Sequence, residues 1–370
     1  MQSWNKVRTP LPTSVYAPPP PRRRIGVIAF IIAVSLLAVL LVSQHAPASL
    51  PRATVTGKVP AVGFDRYNDT YPLTTPVQLP DGTRRFRLAL VADPDKASQV
   101  SSSAWESRLL LATLTRSPRG VYSLAPVVFK PRSPPKAEAL SSLNFKCTTV
   151  VYGPAFVNAL TTACPRHILS DGNGVSSKGL KAEWMAVKNR QLFVGGLGRD
   201  WTTPTGDFVN ADPKWIKVIS PSGALFHVNW TLNYNALQIA AQTGINGYLW
   251  HEAATWSSYL ERWVFCPRRV SNQPYDENLD LLRGSNLVLT ADEHFKTVTT
   301  MAIGQRVPAR GFSSIKFVPG YDGSELIALK TEEFANGTRS FLSVLDIASG
   351  TVLLPDQLIS QEKLEGLEFI

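Results

Sequence analysis

After Arg84 the chain is built from short runs in which apolar and polar residues alternate. Examples are FRLALVAD (86–93), QLFVGG (191–196), WIKVIS (215–220), RWVFCP (262–267), NLVLTA (286–291), ELIALK (325–330) and SFLSVLDI (340–347). Each run is bounded by Gly, Pro, Asn or Asp, and this pattern predicts strands closed by turns. No long amphipathic helix competes with them, so the folded part is expected to be all-β. One stretch breaks the pattern. Ile25 to Ser43 carries no charged residue, and as a helix it would span roughly 28 Å, about the hydrocarbon thickness of a bilayer. It predicts an N-terminal transmembrane helix. Arg22, Arg23 and Arg24 on its N-terminal side favour a cytoplasmic N-terminus. A cleaved signal peptide is the alternative, with Ala46-Pro47-Ala48 as its small-residue site.

The remaining organisation follows from composition. Residues 1–24 are rich in Pro and Arg and predict a disordered cytoplasmic tail; 25–43 form the signal-anchor. Residues 44–83 read as a lumenal stalk, and 84–370 as the folded domain. Within that domain a distant repeat recurs. Glu183-Trp184-Met185-Ala186-Val187 leads to the strand at Gln191, Glu252-Ala253-Ala254-Thr255-Trp256 to Arg262, and Ser313-Ser314-Ile315-Lys316-Phe317 to Glu325. A last copy, Glu365 to Ile370, ends the chain without its following strand. Spacings of 69, 61 and 52 residues between the leading positions suit one copy per propeller blade of about 40–50 residues plus insertions. Phe86 to Val91 can pair beside Glu365 to Ile370 and close the ring, which removes an open sheet edge. The length from Arg84 onward allows about five blades. The expectation is a five-bladed β-propeller; a sandwich without true repeats is the competing all-β fold.

Charge and cysteine change this picture little. The formal net charge is +10, but Lys6, Arg8 and the Arg22–Arg24 triplet lie in the tail, and no acid precedes Asp65. Half the excess therefore belongs to the tail, and nucleic acid is not an expected partner. Cys147, Cys164 and Cys266 are the whole cysteine set; they make no disulfide framework and no CxxC metal spacing. A Cys147–Cys164 pair stays open, which would leave Cys266 as a buried thiol. Sequons at Asn68, Asn229 and Asn336 agree with translocation.

A propeller brings equivalent positions of successive blades to its central channel. Glu183, Glu252, Ser313 and Glu365 would then meet on the axis. Carboxylates crowded there repel unless neutralised, and with hydroxyl, carbonyl and water oxygens they make a hard-oxygen site of the kind that suits Ca²⁺. Histidine and thiolate are missing from these positions, which argues against zinc. The bland reading is a set of solvated acids at strand starts. Asp93 and Asp95 follow the closing strand where it enters a loop; they suit catalysis or, equally, an Asx turn beside Pro94. Arg268 and Arg269 suit phosphate oxygens, or a solvated rim. Trp184, Trp201, Trp256 and Trp263 suit base stacking, although propeller tryptophans are usually core. Gly195-Gly196-Leu197-Gly198 opens no helix and no Walker motif occurs, so a nucleotide would bind without a Rossmann or P-loop cradle.

At these residues the chain resembles the calcium-activated nucleotidases, also called calcium-dependent apyrases. The matching stretches include Tyr67–Leu73, Ala89–Asp95, Ile168–Gly174, Lys178–Val187, Val194–Gly198, Asp200–Thr203, Asn233–Leu237, Cys266–Arg269, Gly311–Phe317 and Glu365–Ile370, in family order. The resemblance implies a five-bladed propeller with Ca²⁺ in its tunnel that hydrolyses nucleoside di- or triphosphates such as UDP, GDP, ADP or ATP. It places Glu183, Glu252, Ser313 and Glu365 on the family's calcium ligands, and Asp93 and Asp95 near the reacting phosphate. Trp184, Arg268 and Arg269 are the expected substrate contacts. It also implies a single-pass type II protein of the endoplasmic reticulum or Golgi with its catalytic domain in the lumen. A form secreted after cleavage and a homodimer are both compatible with it.

Residues 106–167 depart from the family. The family's Gly-Arg-Gly-Met-Glu-Leu-Ser segment and the acidic loop after it are replaced by Lys136-Ala137-Glu138-Ala139-Leu140-Ser141-Ser142-Leu143, and no Asp lies between Asp95 and Asp171. Ser141 or Ser142 can stand for the family's ligand serine; Ser141 is taken here as a fifth metal ligand. A shifted reading frame across this stretch is one explanation, and sequencing the transcript over 106–167 tests it. If the stretch is genuine, a non-catalytic, calcium-stabilised binding scaffold is the alternative function.

Overall fold

The computed structural model describes residues 76–93, 99–101, 104–105, 107–125, 128–129, 167–321, 323–334 and 337–370. The chain divides into two units, Met1–Val62 and Gly63–Ile370, and every described residue belongs to the second. The expected tail, anchor and most of the stalk lie outside the described residues, as do Asp95, Ser141, Cys147 and Cys164. Among the described residues no helix is long and apolar enough to cross a membrane.

In chain order the strands are β1 (Val77–Gln78), β2 (Arg84–Ala92), β3 (Gln99–Ser101), β4 (Ala104–Trp105), β5 (Arg108–Arg116), β6 (Tyr122–Leu124) and β7 (Val128–Phe129). Then follow β8 (Trp184–Lys188), β9 (Gln191–Gly195), β10 (Trp201–Thr202), β11 (Phe208–Asn210), β12 (Trp215–Ile219) and β13 (Leu225–Asn229). Helix α1 (Thr231–Ala240) precedes β14 (Tyr248–Ser257) and β15 (Arg262–Ser271), and α2 (Glu277–Asp280) precedes β16 (Leu287–Asp292) and β17 (Val298–Ala302). The last are β18 (Arg310–Phe317), β19 (Glu325–Phe334), β20 (Gly337–Asp346), β21 (Thr351–Ser360) and β22 (Leu364–Phe369).

These strands make four large antiparallel sheets in a propeller-like arrangement. Three are simple meanders of four strands: β8–β9–β12–β13, β14–β15–β16–β17 and β18–β19–β20–β21. The fourth joins the two ends of the domain. β22 pairs antiparallel with β2, Leu88 opposite Phe369 and Leu90 opposite Leu367, and β2 continues into β5 and β6. The expected pairing thus forms, and β22 is hydrogen-bonded along β2. β8, β14, β18 and β22 are each the first strand of their sheet; β14 packs beside both β8 and β18, and β18 beside β22. That neighbour order makes them the inner strands around a common axis.

The core lies between adjacent sheets, as in stacked blades. One cluster gathers Leu88, Leu90, Leu114, Ile327, Val344 and Phe369. A second is aromatic and is built on Trp184, Trp230, Trp263 and Phe265. Trp184 lies over the backbone opposite it: a Cβ at Gly195 would come within 2.1 Å of the indole, so glycine is required at that cross-strand position. A third cluster holds Cys266, a free buried thiol as expected, with Phe312, Ile315 and Leu326.

Sequence patterning missed α1. Five of its ten residues TLNYNALQIA are good helix formers, but it buries only Tyr234 and Leu237 and exposes Leu232 and Ile239, so the helical period is faint. The Asn229 side chain accepts from the Thr231 N–H at 2.9 Å and helps start the helix. Several strands also run past their sequence-level limits, notably β15 to Ser271 and β19 to Phe334.

Candidate functional site

The repeat positions are set by irregularities in the ladders. In the β14–β15 pair, His251 faces Pro267 and Ala253 faces Cys266, which leaves Glu252 out of register; Arg268 is skipped likewise between Pro267 and Arg269. Between β18 and β19, Phe312 faces Lys330 and Ser314 faces Leu329, so Ser313 is the extra residue. Between β2 and β22, Val91 faces Gly366 and Ala92 faces Leu364, so Glu365 is the extra residue. Glu183 stands one step before the β8 ladder, and its N–H donates to the Gly195 carbonyl at 2.8 Å. A bulge residue leaves the alternation of the strand and is re-aimed, which is why bulges gather at functional sites. The expectation that these residues precede their strands is corrected for Glu252, Ser313 and Glu365: they lie within the inner strands, at the bulges.

The bulged side chains join one buried ionic network. Arg268 holds Glu252 through one guanidinium nitrogen and reaches Glu333 through another at 3.0 Å. Lys363 bridges Glu333 at 2.8 Å and Glu365 at 2.9 Å. The Ser313 hydroxyl donates to the Leu364 carbonyl at 2.9 Å, directly beside Glu365. Glu183 pairs with Lys181 at 3.0 Å, and the Lys181 ammonium lies 4.7 Å from the ring centre of Trp250, whose indole N–H donates to Glu252 at 3.0 Å. The Asp93 N–H donates to the Lys363 carbonyl at 2.9 Å, which places this buried acid against the same strand end. Gly311 permits the close fit: a Cβ there would come within 2.4 Å of the Arg268 carbonyl oxygen.

Burial and charge oppose each other throughout. Burial disfavours the Arg268 cation, yet Glu252, Glu333 and Glu365 more than reverse this and hold it firmly charged. Lys363 behaves in the same way, with burial outweighed chiefly by Glu365. Burial alone would raise Glu333, but Arg268, Lys363 and Arg269 keep its carboxyl well below the usual range. Arg269 is the exception, lowered by burial and by the neighbouring Arg268. It lies 3.6 Å from Asp280, whose carboxylate accepts the Tyr248 hydroxyl.

A cavity of about 800 Å³ is lined in part by Arg199, Gln238, Asn246, Tyr248 and Tyr275, and Tyr248 links it to the network through Asp280 and Arg269. The Arg199 guanidinium stacks 4.0 Å from the centre of Tyr275 and 4.9 Å from that of Trp250. Sequence reasoning missed Arg199, Glu333 and Lys363. Glu333 and Lys363 occupy no repeat position, and Arg199 directly follows Gly195–Gly198, a stretch without phosphate-loop spacing.

The other expected residues are distributed as follows. Trp184 is 2% exposed and packs among Trp230, Trp263 and Phe265; the structure puts it in the core. Trp201 donates its indole N–H to Asp171 at 2.7 Å, with Lys178 3.3 Å from its ring centre. That contact belongs to the Asp171–Gly174 loop, which is held from below by the fully buried Lys217, donating to the Gly172 carbonyl. Burial pushes the Lys217 amine from an ordinary 10.5 down to about 8, against the pull of Asp171 and Asp212. Between those pH values the unfolded chain binds more protons at this lysine, so its contribution to stability rises with pH and is lost as pH falls through 8. In urea unfolding, the advantage of the wild type over Lys217→Met is expected to grow by about 2 kcal/mol from pH 8 to pH 10; a constant difference refutes the assignment.

Propeller-like sheets whose inner strands carry bulged acids interleaved with buried arginine and lysine define a propeller-like β protein with a charged site on its inner strands. The apyrase family model matches residues 148–370. Over 320 residues the chain is 41% identical to soluble calcium-activated nucleotidase 1 of Rattus norvegicus, covering 83% of this chain and 79% of that one. Over 334 residues it is 32% identical to an apyrase of Cimex lectularius, covering 84% and 89%. The chain belongs to the apyrase family.

Proposed function

We propose that this chain hydrolyses nucleoside di- and triphosphates with calcium bound at the axis of a five-bladed propeller. The observation that carries the reading is the convergence of Glu252, Ser313 and Glu365, each at a bulge of an inner strand, on one network with Arg268 and Lys363. Family membership supplies the reaction class. Four large sheets lie among the described residues, and a fifth blade belongs to the proposal.

The donors suit calcium chemically, since they are carboxylate, hydroxyl and carbonyl oxygens without thiolate or imidazole. Among the described residues, however, no three acidic side chains stand close enough to enclose an ion. The acids are held by Lys181, Arg268 and Lys363 instead. Glu183, Glu252, Ser313 and Glu365 would hold calcium by exchanging the two lysine partners for the ion, with Ser141 as a further ligand. Bound calcium supplies charge neutralisation and polarisation of the phosphoryl oxygens. The chain's own groups do the rest. Arg268 and Arg269 draw the phosphate chain in, Asp93 with Asp95 orients the attacking water, and the cavity beside Tyr248 and Tyr275 receives the nucleoside. The apolar stretch 25–43 anchors the chain as a type II membrane protein with this domain in the secretory lumen; the exposed Asn229 sequon agrees with that side.

The missing acidic loop in 106–167 favours one other reading, a calcium-stabilised scaffold without turnover. Incubating the purified protein with UDP, GDP, ADP and ATP, with and without calcium, separates the two. Calcium-dependent phosphate release from at least one nucleotide is expected. Release from none overturns the hydrolase reading.

A further inference from the structure

Among the described residues, four acids and three bases meet around Glu333. Arg268 is held by Glu252, Lys363 by Glu365 at 2.9 Å and Arg269 by Asp280 at 3.6 Å. Each cation therefore has an acid of its own. Glu333 is a fourth acid for three bases, and it touches all of them: Arg268 at 3.0 Å, Lys363 at 2.8 Å and Arg269 at 3.7 Å. It is also the member that water reaches, with its side chain 25% exposed against 3% for Arg268, 1% for Arg269 and 7% for Lys363. The carboxylate thus lies over the three cations and between them and solvent.

Its place on the strand explains this. β19 alternates, so Glu332 turns to Arg310 and Arg339 on one face while Glu333 turns to the network on the other. Glu333 sits near the hairpin end of β19, opposite Thr338 of β20, where a side chain can swing without disturbing the inner ladder. A carboxylate shared by two guanidinium groups and an ammonium occupies the contacts that those groups offer a phosphate, because both anions are met by the same charge-assisted hydrogen bonds.

We propose that Arg268, Arg269 and Lys363 form a seat for the phosphate chain of a nucleotide or for pyrophosphate, and that the Glu333 carboxylate fills this seat until a phosphate displaces it. The proposal rests on the hydrolase reading for its choice of ligand, but the seat itself does not require turnover. With Glu333 in place its carboxylate occupies the contacts that an incoming anion would make with the three cations. With Glu333 swung out toward water, its contacts with all three cations are released. Glu333 is then an internal competitor, and the affinity seen for an oxyanion is reduced by the fraction of molecules in which it is seated.

Pyrophosphate titrated calorimetrically into the full chain in calcium-free buffer tests this. Glu333→Gln is expected to bind about tenfold more tightly than the wild type, and Lys363→Gln to bind more weakly than the wild type. Equal or weaker binding by Glu333→Gln overturns the proposal, as does unchanged binding by Lys363→Gln. If Glu333→Gln melts early, Glu333→Asp replaces it: the shorter side chain keeps the charge but loses reach, and tighter binding is again expected while equal or weaker binding overturns. Hydrolysis by the wild type without tighter binding in Glu333→Gln removes the seat alone. Tighter binding with no hydrolysis of any nucleotide removes the hydrolase reading alone.

Discussion

Glu365→Ala is expected to abolish calcium-dependent phosphate release from nucleoside diphosphates while leaving the protein folded. Glu365 is the extra residue of the β22 bulge, re-aimed out of the ladder toward Lys363 and the Ser313 side of the axis. As a carboxylate ligand it would supply charge that no neighbouring carbonyl can replace. Its loss should weaken calcium binding by about 100-fold or more, beyond what loss of an outer-shell partner usually does. The fold should survive, because Lys363 keeps Glu333 as a partner at 2.8 Å and no buried lysine is left bare. Phosphate release measured across a calcium titration, with a thermal melt in parallel, checks both halves. Wild-type activity at low calcium in the variant would end the assignment of Glu365 as a ligand.

Arg268→Met is expected to act on stability as strongly as on activity. Arg268 and Glu252 are 3% and 4% exposed at their side chains, and each is skipped by the ladder at the same irregularity of the β14–β15 pair. Removing the cation leaves Glu252 buried without its main partner, and Glu333 loses another contact. Breaking a buried pair from one side destabilises by about 3–5 kcal/mol, whereas replacing both partners is far milder. Denaturant unfolding of Arg268→Met, Glu252→Gln and the double variant should therefore show strong non-additivity, with the double variant more stable than Arg268→Met. Additive losses would mean that the two side chains do not depend on each other. Phosphate release should fall in all three variants, because none retains the constellation that receives the substrate.

The strands were readable from the chain because their signal is local. Alternation in FRLALVAD or ELIALK, bounded by turn residues, reflects one buried and one polar face, and β2 and β19 form where it predicts. Ring closure was also readable, since a last copy without its following strand needs a partner and Phe86 to Val91 is the strand free to supply it; β2 and β22 pair accordingly. The recurrence of Glu183, Glu252, Ser313 and Glu365 could be counted along the chain. Their manner of convergence could not.

A bulge is a mismatch between two strands, so one strand read alone does not announce that Glu252 or Ser313 stands out of register. The same holds for Glu333 and Lys363. Nothing local separates them from solvated acids and bases at strand ends, and their role arises where β15, β19 and the start of β22 bring unlike charges together. Trp184 shows the converse. Its indole suited base stacking or the core, and packing against Gly195 and the Trp230–Trp263 cluster commits it to the core. Periodicity records which face of a strand is buried, whereas charge pairing and cavity shape depend on distances between segments far apart in the chain. Those distances exist only once the sheets have closed around their axis.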